Sequence, residues 1–384
     1  MIKKSNLNFT FCCLIIISSS NLLYSCSDSK PKEEYDFKVK NTQISFPNFK
    51  LITDTIPLNI NYSGEGIFEI LDDTLVIVDE MYKIIYFFSI SKGKLLNSYE
   101  FFDKIKNPTS FNQSIFFAKL NSGFVLMNGR KLSFFDEHMY MDTTIRLKFS
   151  KKNLLDPFDN PDPLSMDIYE INYRKRKKAR LNNLFFISVD SEHPKFNPYT
   201  NKEYYATGEA FGIVDLETQK VLTSNIKKSI EYNDTCCLPT TDWASIAVNE
   251  KEREILVQFP VDSFIYVYNF NLTKKYKYGL SNKHNLKRVI STSLDVAFDS
   301  ELFSKAESQT AVFESVFYLS AENLVARNYI DYSSNKQFLQ IFRDNSLIFD
   351  QEVPIIYEFI GQNKSSLFVR IKNTTILCKL NMRF

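Results

Sequence analysis

From residue 44 onward, short runs of Ile, Val, Phe, Tyr and Leu alternate with clusters of Asp, Asn, Ser and Lys, and hardly any long stretch carries helical period. The pattern predicts an all-β chain. It also repeats: an apolar strand, a short polar turn, two further strands, a second polar turn, and a fourth strand that is basic or amphipathic. Copies fall at 67–101, 115–149, 167–226, 243–280 and 312–353, and a sixth, at 355–380, stops after three strands. Segment 42–60 lies before the first copy, with strand character at Ile44-Ser45-Phe46 and alternation over 51–60, and has no sheet of its own. An amino-terminal strand completing the last blade would close a six-bladed β-propeller and remove the edges an open sheet must protect. The copies align by pattern rather than identity, so five blades, seven blades or two packed sheets compete with six.

Only 9 of 384 residues are Gly, below the ~7% average. Hairpin turns that elsewhere favour Asn-Gly or Asp-Gly must here use Asp, Asn, Ser and Lys. The 35 Phe and 21 Tyr suit blades packed on both faces, at roughly 1.5 to 3 kcal/mol per buried ring.

The repeats differ in length. In a propeller the connections from a fourth strand to the next first strand, and from a second to a third, share one face. The excursions 150–166, 227–242 and 281–311 are of the first kind and 191–208 is of the second, so all four are expected on one rim; loops of such length are usually functional or disordered. Phe196, Asn197, Tyr199, Tyr204, Tyr205 and Trp243 place rings among polar groups there, a composition that suits sugars or peptides. The competing reading has the same rings sealing the loops onto the disc. Residues 298–309 predict a short helix capped by Asp299 or Ser300. The strongest charge run, Arg174, Lys175, Arg176, Lys177, Lys178 and Arg180, is expected at a one-to-two hairpin on the opposite face, either touching anionic head groups of a membrane or simply solvated.

The first 40 residues are of another kind. Lys3 and Lys4 precede an apolar run around residues 9–17, a Ser-rich stretch and Leu23-Tyr24-Ser25-Cys26. The apolar run is shorter than the ~20 residues needed to span a bilayer. The pattern resembles a bacterial lipoprotein signal, with Tyr24 bulkier than usual at its place in the lipobox. That resemblance implies removal of residues 1–25, lipid on Cys26, and sorting to the outer membrane because Ser27 rather than Asp follows. Several acyl chains on one cysteine hold a membrane durably where a single chain does not. Residues 26–40, polar and containing Pro31, read as a lipidated flexible tether, and 41–384 as the propeller domain. Asp28, Glu33 and Glu34, interrupted by Lys30 and Lys32, leave the periplasmic and cell-surface sides equally open.

Charge narrows the function classes. Lys and Arg number 47 against 45 Asp and Glu; residues 1–25 hold two of the lysines and no acid, so the remainder balances. Balance argues against a nucleic-acid binder. Three scattered histidines and one Trp leave little for imidazole-built sites, so neither metal nor cofactor is expected. Cys12 and Cys13 leave with the signal, and Cys236, Cys237 and Cys378 remain as thiols or, alternatively, as a bridge from Cys236 or Cys237 to Cys378. The sequence holds no Gly-x-Ser-x-Gly elbow, His-Glu-x-x-His, Gly-rich phosphate loop or Cys-x-x-Cys. No catalytic residue is assigned.

The lipobox at Cys26, the Gly-poor aromatic strands, and Phe211-Gly212-Ile213-Val214-Asp215-Leu216-Glu217 together resemble uncharacterised Bacteroidota lipoproteins with a TolB-like six-bladed propeller domain of unknown function. The resemblance implies location and fold more than activity. The expectation is an outer-membrane lipoprotein, held by lipidated Cys26, whose long-loop face binds or scaffolds a protein or glycan partner. The competing class is a polysaccharide-acting hydrolase or lyase with carboxylates in the propeller channel.

Overall fold

The computed structural model describes residues 37–45, 50–100, 113–149, 160–171, 177–191, 193–198, 203–229, 232, 243–279 and 299–383. Their strands form six sheets. Blade 1 is Gly66–Leu71, Thr74–Asp79, Ile84–Ser89 and Lys94–Glu100; blade 2 is Ser114–Leu120, Gly123–Asn128, Lys131–Phe135 and Met141–Arg146. Blade 3 is Glu170–Ile171 with Lys178–Leu181, then Leu184–Asp190, Phe211–Asp215 and Lys220–Thr223. Blade 4 is Ser245–Asn249, Glu254–Gln258, Ile265–Asn269 and Lys274–Tyr278; blade 5 is Ala311–Leu319, Leu324–Asp331, Lys336–Arg343 and Ser346–Val353. Blade 6 has Tyr357–Gln362, Ser366–Ile371 and Ile376–Arg383, and its fourth strand is Lys50–Pro57. The six-bladed propeller closes as expected: Lys50 pairs with Arg383 and the antiparallel register runs unbroken to Pro57 opposite Ile376.

Alternation explains how one strand serves two junctions. In Thr74–Asp79, Leu75 and Ile77 join the apolar cluster shared with blade 6, while Val76 and Val78 join the cluster shared with blade 2. All four are fully buried. Turns manage with few glycines because Asn takes their place: thirteen described non-Gly residues have positive φ, and six are Asn, the residue that tolerates the left-handed region best after Gly. Gly66 and Gly123 are not replaceable in this way. Each has φ 140°, and a Cβ would lie 1.9 Å from the Val78 carbonyl oxygen or 2.0 Å from that of Phe135. The fourth strands of blades 1, 2, 4 and 5 each pair with the third through a register shift, a device that bends the rim of a sheet away from foreign strands.

Two boundaries depart from the sequence reading. Blade 3 does not use a continuous first strand over 167–173. Its first strand comes in two pieces on the same neighbour, Glu170 and Ile171 opposite Asp190 and Val189, and Lys178 to Leu181 opposite Ile187 to Leu184. Lys178 and Arg180 of the basic run therefore fall inside a strand next to the axis, and the one-to-two turn is Asn182-Asn183. Second, the compact unit that holds the six sheets takes in residues from Phe37, inside the segment read as tether. Lys38–Val39 adds to blade 4 as a fifth strand, parallel to Lys274–Tyr278. Ile44 bridges Leu347 of blade 5, and Lys50–Pro57 completes blade 6, so one segment binds the rims of three consecutive blades.

The expected short helix is Ser300–Glu307, with the Asp299 carboxylate accepting from the backbone N–H groups of Glu301 and Leu302, both at 2.9 Å. It buries no side chain, and Leu302 is 44% exposed. Among the described residues no helix is long and apolar enough to cross a membrane.

Candidate functional site

The structure places the rings expected on the binding rim inside the protein. Phe196, Tyr204 and Tyr205 are at most 2% exposed, and Trp243 and Asn197 are also buried. The Asn197 amide donates to the carbonyls of His193 (2.8 Å) and Pro194 (3.3 Å), fixing its own turn. Trp243 Nε1 donates to Asp190 at 2.6 Å. Ring contacts run without a gap from Tyr169 through Phe196, Tyr204, Tyr205, Tyr232, Phe259 and Tyr266 to Phe37. Such contacts add about 0.5–1.5 kcal/mol each beyond area burial. These rings seal the loop onto blades 3 and 4 and present no binding face. Tyr199 lies outside the described residues, as do Arg174, Lys175, Arg176, Cys26, Cys236 and Cys237. Cys378 is a buried free thiol.

Lys177 and Lys178 are half-buried and turn toward the axis rather than into solvent at a hairpin, while Arg180 stays exposed beside the one-to-two turn. Lys177 Nζ donates to Ser315 Oγ of blade 5 at 2.6 Å. Lys178 pairs with Glu69 of blade 1 and donates to the Ile115 carbonyl of blade 2 at 2.9 Å. Arg180 donates to the Lys119 carbonyl at 2.6 Å, and its guanidinium lies 5.3 Å from the Phe185 ring centre. The physical reason is the split strand: Lys178–Leu181 occupies the innermost position of blade 3, beside the channel.

First strands of successive blades surround a channel of about 870 Å³, lined by five acidic and five basic residues among many backbone edges. This is within the size of ordinary ligand sites. Polar links cross the junctions in turn. Phe117 N–H donates to Glu69 at 3.1 Å, Val316 N–H to Ser245 Oγ at 3.0 Å, and Gln362 to the Tyr318 carbonyl at 2.5 Å. Arg370 holds Glu358 at 2.8 Å and reaches the Tyr62 hydroxyl (3.2 Å) and Gly64 carbonyl (3.4 Å). Burial pushes the Glu69 carboxyl up, against the opposing pull of Lys178 and the Phe117 N–H. Glu69, Ser315 and Glu358 escaped the sequence reading because each is one of only one or two polar residues in an otherwise apolar strand. A polar residue recurring in the first strand of each repeat was the signal.

A second buried polar set ties blades 4 and 5. Arg327, fully buried, donates to Gln340 (2.8 Å), Gln258 (2.9 Å) and the Ser263 carbonyl (2.7 Å) over the face of Phe313. Burial holds its pKa down to about 10. Among the described residues no group of His, Cys, Asp or Glu is arranged to hold a metal.

No family model and no curated protein matches this sequence. The chain is similar in structure to a member of the DUF4221 family from Bacteroides vulgatus, with TM-score 0.60 and 11% identity over 87% of this chain and 98% of that one. It is similar also to a candidate exported protein from Bacteroides fragilis, with TM-score 0.50 and 11% identity over 90% and 100% of the two chains. The likeness is one of fold. It reaches the propeller and stops short of any activity.

Proposed function

We propose that this protein is a lipid-anchored envelope protein of the outer membrane, held through Cys26, whose propeller binds a protein or glycan partner at the mouth of its channel. The observation that supports this most is the channel itself: acids and bases in equal number, several already hydrogen-bonded to backbone, around a space large enough for a few sugar rings or a peptide segment. Mixed charge of this kind offers donors and acceptors to hydroxyl or amide groups without a strong field of either sign. Binding moves from the buried loop rings to the channel, whose lining extends to the one-to-two turns at Asp72, Glu250, Ser320 and Lys364. The TolB-like reading of the fold and the lipobox at Cys26 bear on location in the same direction.

The test is capture from envelope extract by the purified chain beginning at Ser27. Wild type retains a partner, and Lys177→Ala together with Arg370→Ala loses it while the chain stays folded. Equal capture by both would remove the channel from the site. A hydrolytic reading has one observation in its favour, the raised carboxyl of Glu69 inside the channel. New reducing ends from a polysaccharide panel, abolished by Glu69→Gln, would establish it.

A further inference from the structure

We infer that the inner edge of the first strand of blade 1, Gly66–Leu71, takes an extended peptide as an added strand inside the channel. The inference rests on the channel reading above and names the class of its ligand. Register fixes which backbone groups face inward. Leu71 pairs with Thr74 across the turn, and the Glu80 N–H donates to the Glu65 carbonyl at 3.2 Å, so residues 65, 67, 69 and 71 direct their N–H and C=O groups to the second strand. Phe68 and Ile70, lying between them, direct theirs to the axis, and both line the channel. Among the described residues no backbone or side-chain group meets these inward groups.

Corresponding edges elsewhere in the ring are already met. In blade 2 the inward groups of alternate residues are each bonded by a side chain from another blade: the Ile115 carbonyl by Lys178, the Phe117 N–H by Glu69 and the Lys119 carbonyl by Arg180. In blade 5 the Val316 N–H donates to Ser245 and the Tyr318 carbonyl accepts from Gln362. These side chains occupy the positions a pairing strand would use. Beside the edge of blade 1, blade 6 instead places Gly361, where a Cβ would come 3.0 Å from Ile70 Cγ1, and so it brings no side chain to screen that edge. An unpaired strand edge is a template for another extended chain.

The lining favours a peptide over a glycan. Phe68, Phe116, Phe117, Phe185, Tyr318 and Phe359 of the channel wall are each at most 9% exposed; they turn into the blades, and Phe317 alone of the lining rings is half-buried. A sugar finds little ring face to lie on there. A peptide needs none, because its main chain carries N–H and C=O groups at the same repeat as the strand and can bond to Phe68 and Ile70 as one strand bonds to the next. Its side chains, of either sign, meet five acids and five bases around the wall. In strand addition the backbone bonds supply affinity and the side-chain positions supply selectivity, so binding is expected to tolerate many sequences.

That tolerance sets the probe. The purified full chain is titrated with a pool of random-sequence octapeptides and, separately, with a mixture of malto-, cello- and chito-hexaose, while amide hydrogen exchange is followed residue by residue. The peptide pool should slow exchange at Phe68 and Ile70, and the oligosaccharides should leave both unchanged. Ile70→Pro removes the inward N–H without touching a ladder bond and should weaken pool binding roughly tenfold, the worth of one hydrogen bond. Ile70→Ala, which shortens the side chain and keeps the N–H, should change it little. If the thermal transition shows that Ile70→Pro does not fold, exchange on the wild-type chain decides alone. Oligosaccharide binding with the peptides inert overturns the inference and leaves the channel reading standing. Peptide binding that leaves both amides unprotected, or that a folded Ile70→Pro chain retains in full, overturns it as well. So does silence toward both probes, and capture by the Lys177→Ala, Arg370→Ala chain then decides separately whether the channel is a site at all.

Discussion

Lys177 of blade 3 and Ser315 of blade 5 meet across the propeller axis at 2.6 Å, joining two blades that do not adjoin. Lys178, the next residue, turns toward blades 1 and 2. Two neighbouring lysines thus brace the channel in different directions, which is possible because the strand that carries them starts only at Lys178.

Lys177→Ala should leave the fold intact and cost about 0.5–1.5 kcal/mol, the net value of one hydrogen bond. Urea denaturation reads the cost, and partner capture reads the function. A loss of several kcal/mol would mean that the brace holds the ring itself together.

The closing register makes a covalent test available. Thr55 lies directly opposite Cys378, and the two side chains touch. Paired Cα atoms in an antiparallel ladder are ~4.5–5.5 Å apart, inside the range a disulfide needs. Thr55→Cys should therefore oxidise onto Cys378, removing one titratable thiol, and stabilise the chain under oxidising but not reducing conditions, by up to about 4–5 kcal/mol for so long a loop. Full retention of both thiols after oxidation would show that the strands pair in another register.

The aromatic chain from Tyr169 to Phe37 assigns stability rather than recognition to its members. Tyr204→Ala or Phe37→Ala should cost roughly 3–5 kcal/mol, the usual penalty for deleting a buried ring. Unfolding curves give that figure. A ring substitution that abolished capture at unchanged stability would restore the binding role expected of the loop.

Stability should fall on both sides of a mildly acidic optimum. Burial raises the Glu69 carboxyl, so the folded state keeps its proton above ~4.3, the ordinary Glu value, and the stability this confers is lost as pH rises through that window. Asp73 is lowered chiefly by the Ser91 hydroxyl and further by Ser89; its contribution is present above ~3.9 and lost as pH falls below it. Denaturation series across pH should show Glu69→Gln flattening the upper limb and Asp73→Asn the lower one. Unaltered limbs would place the linkage on other groups.

Strand order, blade number and the closing strand could be read from the chain because alternation of Leu75, Val76, Ile77 and Val78 encodes burial on two faces at once. The split first strand of blade 3 could not. Its inner half carries Lys178 and Arg180, and charge at that density reads as a solvated turn unless partners such as Glu69 on a distant strand are known. Phe37 to Lys40 were obscured for a related reason: they dock by two backbone pairs and one buried ring, too little periodicity to stand out from a polar tether. Tyr204 and Tyr205 have the composition of a recognition loop, since a tyrosine looks the same whether its hydroxyl meets a ligand or, as for Tyr204, the carboxylate of Asp190 at 3.3 Å.

Lys50–Pro57 is among the first of the described strands in chain order, and its partner Ile376–Arg383 is the last of them. Blade 6 cannot mature until Ile376–Arg383 has been made, and an edge made early must wait unpaired through the production of some three hundred residues. Pairing so remote in sequence is slow to form, and unsatisfied edges in the interval invite aggregation. The ring is therefore committed late, and a truncation of even the final few residues should be felt at the amino-terminal strand as strongly as at the point of cutting.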